Sequence, residues 1–160
     1  MIFLVLVLVK NVEKLIITAA INGGVLRKED VPSLPVDPEE IVEDAWECFR
    51  AGASIIHYHA RDEKGRPTAD WKLYHKIDGM IRDRCDVLLQ HTFDLDPRMS
   101  WRERLEAGLK TGGDLQIHTL QCPWDPEEPM TQSLIEEYAR ALKEKGMRWE
   151  MVVYDLSGIE

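Results

Sequence analysis

Cysteine is scarce. The 160-residue chain has three, Cys48, Cys85 and Cys122, far apart and with no C-x-x-C spacing. That argues against a disulfide framework and a four-cysteine zinc site, and it fits a reducing cytoplasm. Basic charge is also short, with 20 Lys and Arg against 29 Asp and Glu, a net charge of -9. Phosphate backbones and anionic membrane surfaces call for a basic face, so no nucleic-acid or membrane partner is expected. No apolar run reaches the ~20 residues of a membrane span. The run at residues 1–9 ends at Lys10 and lacks the basic lead and small-residue cleavage site of a signal peptide. Residues 1–12 are therefore read as an N-terminal extension before one domain, 13–160. No G-x-G-x-x-G or P-loop follows any predicted strand, which leaves nucleotide binding of those types without support.

What is present is ordinary globular composition, 44% hydrophobic and 31% charged, which excludes intrinsic disorder. Strand-like runs alternate with amphipathic helices. The predicted strands are 15–21 (LIITAAI), 53–59 (ASIIHYH), 87–91 (VLLQH), 115–118 (LQIH) and 149–154 (WEMVVY). The first predicted helix opens with Asp37 as N-cap, Pro38 at its first position and Glu40 closing a capping box. Ile41, Ala45, Cys48 and Phe49 form its apolar stripe, and Gly52 ends it. Asp70 caps a second helix with Leu73, Ile77, Met80 and Ile81 as its buried stripe. Ser100 and Glu103 box a third, with Leu105 and Leu109 inward. Residues 131–145 form a fourth, with Leu134, Ile135, Tyr138, Ala139 and Leu142 on one face.

The order β-α-β-α-β-α-β-α-β implies parallel strands joined by right-handed crossovers. Mid-strand residues Ile17, Ile56, Leu88, Ile117 and Val152 are 39, 32, 29 and 35 residues apart. That spacing suits a (β/α)8 barrel, of which this length supplies about half. An open doubly wound sheet is the alternative.

Four of the five histidines fall at predicted strand C-terminal ends: His57, His59, His91 and His118. In parallel α/β folds, active sites gather at those ends. Asn22 follows the first strand and Asp155 the fifth. Residues two apart on a strand share a face, so the H-x-H of His57 and His59 aims two imidazoles the same way, as a zinc pair requires. His91 and His118 are candidates for further ligands or supporting groups. His75, inside a helix, reads as a surface or packing residue. Arg61 is a candidate fork for a substrate carboxylate and Asp62 for holding a histidine tautomer. An ion pair local to the surface competes with both readings. Thr92 and Thr119 are candidate hydroxyl donors. The five tryptophans read mainly as packing.

These residues carry a resemblance. The segments KLIITAAING (14–23), PEEIVEDAWECFRAGASIIHYHARD (38–62) and GRPT (65–68) resemble the zinc-dependent β-keto acid cleavage enzymes. The similarity extends over about residues 13–155, and its most specific part is H-x-H-x-R-D followed by G-R-P. The resemblance implies an α/β fold, the N-terminal (β/α)4-β5 portion of a TIM barrel. It implies a divalent metal, usually Zn2+, held by His57 and His59. The implied reaction cleaves a β-keto acid with acetyl-CoA as co-substrate, giving acetoacetate and a new CoA ester. Thr92 and Thr119 become substrate contacts, and Arg61 and Asp62 supporting groups.

Departures accompany the match. The family's third ligand, a glutamate from late in the barrel, has no counterpart here. Gln90-His91-Thr92-Phe93-Asp94 keeps the hydroxyl and lacks the family's glycines, and Thr119-Leu120-Gln121 runs into Cys122-Pro123-Trp124. Glu150 is kept, whereas Val152 and Val25 stand where the family carries glutamates, pointing to a different β-keto acid. Two other readings stay open. One is a non-catalytic half-barrel whose unpaired edges invite a homo-oligomer. The other is a three-histidine site in which His91 or His118 serves as third ligand.

Overall fold

The computed structural model describes residues 15–92, 99–119 and 131–152. Four helices form where the sequence places caps before apolar stripes. Helix α1 spans Pro38–Arg50, and the Glu40 carboxylate accepts from the N–H groups of Val36 and Asp37. Helix α2, Trp71–Arg82, starts where the Asp70 side chain accepts from the Lys72 N–H at 2.9 Å. Ser100 and Glu103 exchange bonds across the first turn of α3, Trp101–Thr111. Thr131 caps α4, Gln132–Glu144. Each cap satisfies N–H groups that the first turn leaves without an intrahelical partner.

Five parallel strands lie in the order of the chain: β1 Thr18–Ala20, β2 Ile55–His57, β3 Leu88–Thr92, β4 Leu115–Thr119 and β5 Arg148–Val152. A doubly wound sheet reverses direction midway, and this one does not. Consecutive order is the arrangement of a barrel, so the described elements form part of a TIM barrel. Ala20 and Gln90 both pair with His57, and Leu115 pairs with Gln90, a register that brings the strand ends together.

The first two strands are shorter than their apolar runs. Leu15 and Ile16 are exposed, and the β1–β2 ladder is bounded by the Ile17 carbonyl and the Ile21 N–H. Beyond His57, the main chain of His59 bonds to a side chain instead of a neighbouring strand.

One face of the sheet packs on the helices. Ile56 and Tyr58 of the β2 segment and Leu89 of β3 join Ile41, Val42 and Ala45 of α1 and Tyr74, Ile77 and Ile81 of α2. Alternation turns His57 and His59, and Gln90 and Thr92, toward the opposite face. A smaller cluster seats Tyr138 and Leu142 of α4 on Leu105 of α3. Helix α2 is rotated from its expected stripe. Leu73 and Met80 are only half-buried, while Tyr74 and Asp78 are buried beside Ile77 and Ile81. The Asp78 carboxylate tolerates this because it finds hydrogen-bond donors behind the sheet.

His75 is exposed, edge-on to Trp71 at 5.4 Å between ring centroids. Trp101 is buried as packing, whereas Trp71 is 40% exposed and departs from that reading. No helix among the described residues is long and apolar enough to cross a membrane. Residues 1–14 and Cys122, Pro123, Trp124 and Asp155 lie outside the described residues.

Glu40 also receives the Lys28 ammonium. That bond, then the Val36 N–H, lowers its carboxyl from 4.5 to about 2. A folded-state pKa below the unfolded one stabilises above the unfolded value and fades as pH falls toward the folded one. Glu40→Gln is expected to lower the melting temperature at pH 7. The gap to the parent chain is expected to close between pH 4.5 and about 2, measured by thermal melts across that range.

Candidate functional site

The site begins with parity on β2. His57 and His59 put their rings on one face, with Nε2 atoms 3.3 Å apart and ring planes near perpendicular. His57 Nδ1 lies 3.1 Å from the main-chain carbonyl of Gln90. A carbonyl only accepts, so this bond puts the proton on Nδ1 and leaves a lone pair on His57 Nε2, aimed at His59.

Both imidazoles are driven toward the neutral form. Burial lowers the pKa of His57, against a smaller raising effect of the Gln90 carbonyl. Burial, then the nearby His57 and Arg61, lowers that of His59 to about 3. Neutral imidazole is the metal-ligating form. Two histidine nitrogens on a tetrahedral zinc, each at ~2.0–2.1 Å, stand roughly 3.3 Å apart. The observed spacing therefore fits a cation in place of the proton the two nitrogens share. Among the described residues, no third histidine, cysteine or carboxylate joins them as a metal-binding cluster.

His59 lies past the end of its ladder, and Asn22 holds it there. The Asn22 side-chain oxygen accepts from the His59 N–H at 2.8 Å, and its amide nitrogen donates to the His59 carbonyl at 2.9 Å. The same nitrogen reaches the Pro35 carbonyl. Asn22 is itself buried. Gly24 then lies flat against the imidazole: a Cβ there would stand 3.1 Å from His59 Cε1. A side chain at this loop position would press on the ring and require it to give by a few tenths of an ångström.

Arg61 and Asp62 do other work than expected. Arg61 is buried and spends its guanidinium on main-chain carbonyls, those of Leu26 and Gly65 at 3.0 Å, Asn22 at 2.9 Å, and Gly23. It ties the β1–α1 loop to the β2–α2 loop and is not a fork held ready for a substrate carboxylate. Asp62 holds no histidine tautomer. Its carboxylate accepts from the Arg66 guanidinium at 2.7 and 2.9 Å and from the N–H groups of Lys64 and Arg66. The Arg66 bond, with help from those N–H groups, lowers its carboxyl to about 2.

His91 does not join the pair. It lies on the helix side of β3, fully buried, with Nε2 3.0 Å from the Asp78 carboxylate. Thr92 is buried at the end of β3, on the face that carries Gln90. The main chain of His118 and Thr119 ends β4, paired with Met151 and Val152, and their side chains lie outside the described residues, as do Phe93, Asp94, Leu120 and Gln121. Sequence reasoning noted Asn22 by position only and missed Gly24 and Asp78. It also missed the Gln90 side chain, which donates to Glu150 of β5 at 2.8 Å. A polar residue just past a strand end was the available signal for Asn22. Gln90 offered none.

Parallel strands in chain order, with an imidazole pair at the C-terminal end of the second, define a barrel-type α/β protein. The family profile described as beta-keto acid cleavage enzyme matches residues 14–160, and the chain belongs to that family. It is 36% identical over 154 residues to a 3-keto-5-aminohexanoate cleavage enzyme of Fusobacterium nucleatum subsp. nucleatum, covering 92% of this chain and 56% of the relative. A protein of the same name from Acetoanaerobium sticklandii is 32% identical over 92% of this chain and 55% of its own length. A 3,5-dioxohexanoate:acetyl-CoA acetone transferase of Paraburkholderia graminis is 37% identical over 58% of this chain and 30% of its own. The chain spans about half the length of the first two relatives.

Asn22→Ala is expected to leave the buried N–H and carbonyl of His59 unpaired, at a cost of about 1–3 kcal/mol. Urea unfolding is expected to show that loss, and amide hydrogen exchange to show faster exchange at His59 than in the parent chain.

Proposed function

We propose that the chain is the metal-binding part of an enzyme that cleaves a β-keto acid with acetyl-CoA. The substrate's acyl portion passes to CoA, and its CH2–COO⁻ portion joins the acetyl group as acetoacetate, so the atoms balance. The observation that carries this reading is the His57–His59 pair, with Nε2 atoms 3.3 Å apart and neutral by burial. A bound zinc ion would supply positive charge to polarise the keto oxygen.

The chain's own residues prepare the place for it. His57 and His59 are the ligands, and the Gln90 carbonyl fixes the ring of His57. Asn22 fixes the main chain of His59, and Gly24 closes one side of its ring. Gln90 also holds the Glu150 carboxylate on β5. Thr92 and Thr119, ending β3 and β4, are the proposed hydroxyl contacts to substrate. The relatives' names support the reaction class, since one carries cleavage of a keto acid and another transfer with acetyl-CoA. A three-histidine site that uses His91 is disfavoured, because His91 faces Asp78 on the other side of the sheet.

We also propose that the working unit is an assembly. The cytoplasm is its proposed setting, supported by free thiols at Cys48 and Cys85.

Zinc stoichiometry of the purified chain, beside His57→Ala/His59→Ala, tests the reading. Near one zinc per chain, lost in the double variant, is expected, with acetoacetate formation from a β-keto acid and acetyl-CoA lost in parallel where the parent shows it. Equal zinc in parent and variant would overturn the metal assignment.

A further inference from the structure

A second polar cluster lies directly behind the histidine pair, within the apolar layer between sheet and helices. Its centre is Asp78 of α2, which is buried. Tyr58, the residue between the two histidines, donates its hydroxyl to Asp78 Oδ1 at 2.6 Å. His91 of β3 reaches the same oxygen through Nε2 at 3.0 Å. Tyr58 and His91 also meet edge to face, with ring centroids 5.3 Å apart. Both are fully buried. On its far side His91 lies close to Gly113, where a Cβ would stand 3.0 Å from Nδ1. One carboxylate thus pins the segments that carry the site, β2 through Tyr58 and β3 through His91.

The placement has a consequence for the pair in front. Regular pairing of β2 ends at His57, so residues 58 and 59 lack a ladder to set their direction. Asn22 holds the main chain at His59, and Asp78 holds the side chain of Tyr58 on the opposite face. A strand segment held at its edge by Asn22 and on its helix-side face by Asp78 resists rolling about its axis, and such a roll would separate the two Nε2 atoms. We infer that Asp78 is a positioning residue for the metal pair, acting through the Tyr58 hydroxyl and braced by His91. The inference rests on the proposal that His57 and His59 bind metal.

The test uses the full chain with zinc and cobalt(II) as probes. Zinc affinity is measured by competition with a chromophoric chelator, and the cobalt visible spectrum reports the ligand geometry. The variants are Tyr58→Phe, which keeps the ring and removes the hydroxyl, Asp78→Asn, and the two together. Leu142→Ala, in the separate cluster on α4, serves as a control that lowers stability away from the site. All are compared well below their metal-free melting temperatures.

Tyr58→Phe is expected to weaken zinc binding by about ten-fold, the lower end of what loss of supporting contacts does at metal sites, and to change the cobalt spectrum. The double variant is expected to be little worse than the single ones, because both remove one tie. Leu142→Ala is expected to melt earlier with affinity and spectrum unchanged. Unchanged affinity and spectrum in folded Tyr58→Phe, beside a parent that binds, would overturn the role of Asp78 alone. A parent chain that binds neither ion would overturn the metal reading and this inference with it.

Discussion

The site depends on a side chain standing in for a strand. Among the described residues the regular pairing of β2 ends at His57, and the Asn22 amide supplies the donor and acceptor that a strand would have supplied to His59. A carboxamide is suited to this because it presents one of each in a single plane. Without it, two buried main-chain groups lack partners and the H-x-H alternation loses its second member. The orientation of the His57 ring, the approach of Gly24 and the pull of Asp78 on Tyr58 all presuppose that the segment stays extended.

Around this point the fold divides its labour by face. The side toward the helices is mainly apolar, with the Asp78–Tyr58–His91 cluster and Gln116 among its buried polar groups, and it supplies the cohesion. The opposite side gathers histidine, amide and carboxylate groups across β2, β3 and β5, and it supplies the chemistry. Burial serves both purposes. On the opposite face, burial at the strand ends lowers the pKa values of His57 and His59 and so favours their neutral rings.

Much of this was legible because it follows short rules. The caps at Asp70, Ser100 and Thr131 lie where side-chain oxygens precede apolar stripes, and the pairing of His57 with His59 follows from a period of two. The face on which His91 lies was not legible, for a specific reason. Parity assigns a residue to a face only when the strand alternates, and Leu88 and Leu89 are both apolar, so β3 does not announce its faces. The register joining His57 to Gln90 decides the matter, and no spacing within one strand contains it. The partners of Arg61 and Asp62, loop carbonyls and Arg66, were not legible because they are chosen by turn geometry that residue types alone do not encode. The doubly wound alternative fell to strand order, which likewise belongs to the whole sheet.

The way Arg61 holds its loop has an evolutionary side. Its acceptors at Asn22, Gly23, Leu26 and Gly65 are all backbone oxygens, which every amino acid provides. The fastening is therefore indifferent to the side chains displayed on the loop. Val25 is 88% exposed and Leu26 47%, and exchanging either leaves those oxygens where they are. A lineage built on this latch can revise the outward surface beside the histidines one residue at a time, while the frame underneath stays the same.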